Sequence, residues 1–318
     1  MAICDANYPR LLTGGNRRGL GILTVMPILE AHLICCLLVA IDLVTRALRF
    51  QWILAGLRTP VSFRDAFVMT TVGDAAAAAT PNRIAAEPTR LAAAAFAGVP
   101  VTAAFVAVTY ELLVSVPVTC AAAGWLALIY APRWWHNASP LLAATVRHAW
   151  PVLVVLAVAG IVGWILVRRA MPKTSHRLQR NTRRAWAYAR RMPAWPLLAS
   201  APLTLLGLGA RVAILPVLAM TLPFPPPMGP LTFGSFALLY AQVFVPTPSG
   251  AGVIDLGFVG GAVGNLGEHH RHLLLIWRVY TTAAVVGIGV IVALKAYGAA
   301  AVSALAKWRH KKRQGVSN

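Results

Sequence analysis

The sequence predicts an all-α integral membrane protein, a polytopic helical bundle with two oppositely oriented re-entrant hairpins. Apolar residues make up 58% of the 318 residues and charged residues only 12%, and that charged fraction is about half of the soluble average. Several continuous apolar runs reach the roughly 20 residues that a spanning helix needs. These runs do not alternate as the strands of a membrane barrel would. We therefore expect one membrane domain over residues 1–318.

Clusters of basic residues predict the orientation. The stretch 168–191 contains nine Lys and Arg residues and no acid, and the tail 301–318 is also basic. Cytoplasmic loops carry such an excess, so we expect both segments in the cytoplasm and the protein in the cytoplasmic (inner) membrane. We attribute the net charge of +20 to the basic cytoplasmic segments and their attraction to anionic lipid headgroups. Nucleic acid is not expected as a partner. Apolar residues at helical spacing in the loop favour an interfacial helix over a solvated loop.

The first half, residues 20–167, is predicted to run as a long helix, two short helices and two further spans. The predicted ranges are 28–54, 63–79, 84–97, 101–130 and 149–167. The short pair is interrupted at Thr80-Pro81 and fits a hairpin. An alternative divides residues 19–55 into two short helices bent at Pro27.

The second half, residues 194–300, repeats the order of long, short, short and long. The predicted ranges are 194–222, 231–245, 253–264 and 272–300. The short pair is interrupted by the Pro- and Gly-rich stretch 246–252. Because the basic segments make the two halves run in opposite directions, this pattern is typical of an inverted-repeat transporter.

Acids within apolar segments are the first candidate functional residues, because an acid at the centre of a spanning helix costs roughly 2.5–3.5 kcal/mol. They are Glu30, Asp42, Asp74, Glu87, Glu111 and Asp255. For Glu30 and Asp42 we favour structural pairing with nearby arginines or an interfacial position. Glu87 lies four residues after Arg83 and three before Arg90, spacings that share a helix face. Either a structural ion pair or a substrate contact fits that arrangement.

The second break has the features of an anion site. Ser249, Gly250 and Gly252 precede Asp255 at the start of a short helix. Glycines let backbone N–H groups converge on a ligand, and the helix dipole favours an anion there. A plain hairpin turn uses the same residue types. Arg211 and Arg278 lie in the flanking spans, where an arginine needs an acid, a phosphate or water.

Several motifs together carry a resemblance to a known family. They are Arg46-Ala-Leu-Arg-Phe-Gln-Trp52; Pro81 with Arg83, Glu87 and Arg90; Glu111; Pro246-Thr-Pro-Ser-Gly-Ala-Gly-Val-Ile-Asp255; and Arg278. In these motifs, over roughly residues 30–300, the chain resembles the lysylphosphatidylglycerol synthase transmembrane family, the flippase-like membrane domain of the MprF proteins and its stand-alone relatives. Ser249 stands where the family has Gly, and Asp255 stands where it has Glu. Residues 1–318 hold no counterpart of the aminoacyl-transfer domain, so the resemblance implies lipid translocation rather than lipid aminoacylation.

We therefore expect a flippase-like transporter, not an enzyme, that moves a phospholipid or lipid-linked headgroup across the membrane. Alternatives are a membrane-embedded enzyme acting on a lipid-linked phosphate, and a non-transporting partner of an envelope lipid- or glycan-modifying enzyme. Expected substrate contacts are Arg83, Glu87, Arg90, Glu111, Arg211, Ser249, Gly250, Gly252, Asp255 and Arg278.

The expected partners are membrane lipids, either an anionic or zwitterionic phospholipid or a polyprenyl-linked lipid. The sequence leaves open a homo-oligomer or an envelope enzyme as a further partner. Cofactors and metals are not expected, because the sequence has no metal-ligand spacing, P-loop or dinucleotide-binding glycine pattern.

Overall fold

Helices form every regular element in the part of the chain that the structure describes. The structure is a computed structural model and describes residues 26–130, 175–223, 227–242, 245, 247–259, 263 and 269–298. In chain order the helices are α1 (Ile28–Gly56), α2 (Phe63–Ala79), α3 (Ala86–Phe96), α4 (Val101–Tyr130), α5 (Ser175–Arg190), α6 (Ala194–Ala219), α7 (Met228–Ala241), α8 (Val253–Gly257) and α9 (Arg271–Gly298). The predicted all-α class is confirmed.

Four of these helices, α1, α4, α6 and α9, are long and apolar enough to cross a membrane. They contain 26 to 30 residues, and at 1.5 Å per residue each is about 39–45 Å long. That length exceeds the roughly 30 Å thickness of a hydrocarbon core. The chain is therefore a membrane protein, as its composition indicates.

Most predicted helix boundaries agree with the structure to within a few residues. α2 has the predicted bounds, because Ser62 caps it by accepting a hydrogen bond from the Asp65 N–H. α3 is shorter than the predicted range 84–97, since a hydrogen-bonded turn occupies residues 80–85. α5 confirms a helix within the basic loop. The predicted span 149–167 lies outside the described residues, as do residues 1–25 and the tail.

α1 and α6 pack side by side at the centre of the bundle. A Cβ atom added to Gly207 of α6 would lie 2.7 Å from the Thr45 Oγ1 atom of α1, so the two backbones approach closely. One buried apolar cluster joins Cys35, Val39 and Leu43 of α1 to α6, α7 and α9. A second cluster joins the C-terminal part of α1, from Phe50, to α3 and α4.

The segment of α1 between the two apolar clusters carries Arg46 and Arg49. At 1.5 Å per residue, Arg46 lies about 27 Å from the first residue of α1 and about 15 Å from the last. Both side chains are largely buried inside the bundle, where they form ion pairs. Hydropathy alone does not distinguish an arginine in an internal polar site from one at a membrane surface.

The two helix breaks meet. Pro81 and Pro248 form an isolated antiparallel bridge, and the Ser249 hydroxyl donates a hydrogen bond of 2.9 Å to the Ala78 carbonyl at the end of α2. The two breaks therefore lie next to each other in the folded chain. The opposite orientation of the two halves and the re-entrant hairpins stay predictions.

Candidate functional site

A cavity of about 550 Å³ lies among α1, α2, α3, α4, α6 and α7. Nine charged side chains of the described residues line it. They are the arginines Arg46, Arg49, Arg83, Arg90 and Arg211, and the acids Asp42, Asp74, Glu87 and Glu111. Such a density of charge within a bundle of spanning helices is costly unless the groups are paired or hydrated.

Four of these residues form a first ion-pair chain, in the order Asp42, Arg46, Asp74 and Arg83. The Arg46 guanidinium donates to Asp42 at 2.6 Å and to Asp74 at 2.7 Å. Arg83 reaches the other oxygen of Asp74 at 3.4 Å. The expected pairing of Asp42 with a nearby arginine is confirmed. This first chain is neutral, since two carboxylates face two guanidinium groups.

A second ion-pair chain runs through Glu87, Arg90, Glu111 and Arg49. Glu111 on α4 is buried and accepts from both arginines, from Arg90 at 2.5 Å and from Arg49. Arg90 also contacts Glu87 at 3.5 Å and lies over the Phe50 ring, 4.6 Å from its centroid, a cation–π contact. The second chain is likewise neutral.

Arg211 on α6 is the remaining cavity arginine. No carboxylate of the described residues lies within 4 Å of it, and two of the nine acids, Asp5 and Glu268, lie outside those residues. Its Nη2 atom donates to the Thr281 carbonyl at 3.5 Å, within the π-helical turn Val279–Ala283 of α9. Its Nε atom is buried without a partner in the described structure. Counted over the described residues, the cavity therefore carries one positive charge beyond its two neutral chains.

Arg83 projects from an unusual turn between α2 and α3. Asn82 and Arg83 both adopt left-handed backbone conformations, with φ angles of 50° and 59°. Asn tolerates this region, whereas for Arg it is strained. The Thr80 hydroxyl accepts from the Ala85 N–H, and the Arg83 N–H donates to the Thr80 carbonyl. These bonds hold the strained turn, and strain of this kind is typical of functional sites.

The second break forms a separate ion pair. Arg278 on α9 donates to Asp255 at 2.7 Å and 2.8 Å and to the Ser249 carbonyl at 2.8 Å. Asp255 also accepts from the Gly252 N–H at 3.0 Å. Gly250 and Gly252 have φ angles of 67° and 85°, which glycine adopts without strain. None of these five described residues lines the 550 Å³ cavity.

Half of the predicted contacts thus meet in the cavity. These are Arg83, Glu87, Arg90, Glu111 and Arg211. Ser249 lies beside it, lining a small adjoining space together with Arg83 and Arg211. Asp255, Arg278, Gly250 and Gly252 stabilise the second break. Glu30 is exposed in the first turn of α1.

Four further charged residues of the cavity were not among the predicted contacts: Asp42, Arg46, Arg49 and Asp74. A signal for three of them was present, since Asp42, Arg46 and Arg49 recur at spacings of four and three residues on one face of a helix.

One wall of the cavity is apolar. Leu112 and Val116 on α4 line it and remain 50% and 53% exposed, while Ser115 and Thr119 add hydroxyl groups on the same helix face. The charged cavity is therefore bordered by exposed apolar side chains of a helix that is long and apolar enough to cross a membrane.

Comparison with known families agrees with the motifs. The family model described as lysylphosphatidylglycerol synthase TM region matches residues 21–289. This match covers most of the chain and confirms the resemblance that the sequence indicated. No curated protein and no solved structure matches the chain.

Proposed function

We propose that this chain, which belongs to the lysylphosphatidylglycerol synthase TM region family, binds the headgroup of a membrane lipid in its charged cavity and moves that lipid across the membrane. Membership indicates a function connected with membrane lipids. The observation that carries the proposal is the cavity itself, where nine charged side chains of the described residues lie beside an exposed apolar wall.

The cavity suits a headgroup in size and polarity. Its volume of about 550 Å³ lies within the range of roughly 300–1,000 Å³ that is typical of small-molecule sites. A glycerophosphate headgroup fits such a space, whereas two acyl chains do not. The chains would remain against Leu112 and Val116 on α4, in contact with the bilayer. An amphipathic ligand therefore matches a cavity that has charged side chains on one side and apolar side chains of α4 on the other.

Translocation is supported by the order of elements around the cavity. A long helix, two short helices and a long helix occur in each half, and the two breaks meet at Pro81 and Pro248. Arg83, beside the first break, and Ser249, within the second, line the small space that adjoins the cavity. We propose that the halves are inverted repeats that rock around this region, as in other transporters with paired broken helices.

The proposal is tested by reconstituting the protein in vesicles and following the movement of fluorescent phospholipids between leaflets. Glu87→Gln is the informative variant. Its side chain is 39% exposed and has one ion-pair contact, at 3.5 Å, so we expect slower lipid movement with an unchanged melting temperature.

A matched control is Asp65→Asn, an acid at the start of α2 that the described cavity lining does not include. We expect it to move lipid at the wild-type rate. Vesicles in which the wild-type protein moves no lipid of any headgroup would contradict the proposal. Wild-type rates in Glu87→Gln would remove this carboxylate from the mechanism.

A further inference from the structure

We infer that the cavity selects a headgroup with one negative charge and no cation, that is, an anionic phosphodiester with an uncharged remainder, and that Arg211 is its principal contact. This inference rests on the proposed function, because it assumes that a lipid headgroup enters the cavity. It extends the proposed function by assigning the charge of the headgroup and the residue that binds that charge.

The charge balance of the cavity supports this assignment. The first and second ion-pair chains each contain two acids and two arginines, and Arg211 stands outside both. An isolated charge in a low-dielectric site is unfavourable without a counterion. A ligand with a single negative charge neutralises the site, whereas a neutral or cationic ligand leaves the excess uncompensated.

Arg211 has hydrogen-bonding capacity to spare. A guanidinium carries five N–H donors, and in the described structure Arg211 makes one long bond, to the Thr281 carbonyl at 3.5 Å. Its buried Nε atom has no partner there. Paired N–H donors of a guanidinium match the oxygens of a phosphate in a planar, bidentate arrangement.

Arg83 is the natural second contact. It ends the first ion-pair chain, its 3.4 Å contact with Asp74 is the longest in that chain, and its side chain lines the same small space as Arg211. Arg83, on the turn between α2 and α3, thus lines the same space as Arg211 on α6. Two guanidinium groups from different elements can then hold two oxygens of one phosphodiester.

The acids of the cavity offer little to a cation. Asp42, Asp74 and Glu111 each accept from at least one guanidinium at 2.7 Å or less. Only Glu87, among the described cavity acids, is limited to a single contact of 3.5 Å. To reach any of the other three acids, a cationic headgroup would have to break a short ion pair. We therefore expect anionic phosphodiesters to bind better than zwitterionic lipids, and cationic lipids to bind worst.

The test measures binding of short-chain lipids to the purified protein in detergent. Dihexanoyl phosphatidylglycerol, phosphatidylcholine and lysylated phosphatidylglycerol differ in headgroup charge, and inorganic phosphate and glycerophosphoglycerol control for binding of the free anion. We expect phosphatidylglycerol to bind about tenfold or more tightly than phosphatidylcholine, a difference of about 1.4 kcal/mol, because the choline cation adds back the positive charge that the phosphodiester neutralises. Little binding of the free anions is expected, because they lack acyl chains for the α4 wall.

Variants of Arg211 test whether this residue causes the preference for an anionic headgroup. Arg211→Gln should bring the affinities for phosphatidylglycerol and phosphatidylcholine to within about twofold, and Arg211→Lys should retain part of the difference. The matched control is Arg271→Gln, an exposed arginine of α9, which should keep the wild-type ratio. Should Arg211→Gln fail to fold, Asp74→Asn serves instead: it frees one more positive charge and should shift preference toward dianionic phosphatidic acid.

Equal affinity for all headgroups, tighter binding of the cationic lipid, or an unchanged ratio in Arg211→Gln would overturn the inference. Lipid movement that is independent of headgroup charge would overturn it too while leaving the proposed function intact. Conversely, charge-selective binding without any movement in vesicles would uphold the assignment of Arg211 and contradict transport.

Discussion

Neutralising Glu111 should lower the free energy of unfolding more than neutralising any other acid of the cavity. Its carboxylate is 6% exposed and accepts from both Arg49 and Arg90. In Glu111→Gln the remaining amide has one acceptor oxygen, so two buried guanidinium groups lose their counter-charge. Breaking a buried ion pair typically costs about 3–5 kcal/mol, a large part of the 5–15 kcal/mol by which folded domains are usually stable.

The assay is thermal unfolding of the detergent-solubilised protein, where such a loss corresponds to a fall in melting temperature on the order of 10 °C. Glu87→Gln is the matched control, because this partly exposed acid makes one long contact and should cost below about 1 kcal/mol. The double variant Glu111→Gln/Arg49→Gln should recover part of the loss, since it removes one stranded charge. Equal melting temperatures for Glu111→Gln and Glu87→Gln would refute the second ion-pair chain as a stabilising element.

Two further pairs of substitutions test the contact of Ser249 at the second break and the packing of α9 against α2. Ser249→Ala removes the hydrogen bond to the Ala78 carbonyl and keeps a side chain at a φ of 52°, so it should destabilise the fold by about 1 kcal/mol. Ser249→Gly loses the same bond but relieves the left-handed strain, so its stability should be closer to that of the wild type. An alanine variant as stable as the glycine variant would argue against that strain. Gly289→Ala would place a Cβ atom 2.5 Å from the Thr71 carbonyl oxygen of α2, so α2 and α9 must separate and the melting temperature must fall. Gly287 has open space around it, so Gly287→Ala should leave the melting temperature unchanged.

The positions of the long helices follow from the sequence alone. Apolar runs of about 30 residues have few alternatives in a bilayer, and α4 spans the predicted 101–130. α2 was equally predictable, because Ser62 and Asp65 form a local capping pattern. Local chemistry of this kind depends on neighbours in the chain, which the sequence displays directly.

Partner choice in the cavity depends on tertiary packing and was not predictable. Glu87 and Arg90 were expected to pair through their spacing, yet the shorter contact of Arg90 is with Glu111, 21 residues away. Arg49 reaches Glu111 across 62 residues. The isolation of Arg211 is also a property of the packed bundle, since it arises from which acids other arginines have already engaged. A sequence shows which charges lie in apolar segments but not which of them remain unpaired.

The most direct test of the central claim, that lipid passes through the charged cavity, is the rate of lipid movement in vesicles after the cavity is filled. Ser115 lines the cavity from α4, whereas Leu113, two residues earlier, is exposed and is not among the described lining residues. Ser115→Trp should abolish or strongly slow movement, and Leu113→Trp, the same bulky side chain on the outer face, should leave the rate near that of the wild type. Equal rates in the two variants would contradict the account.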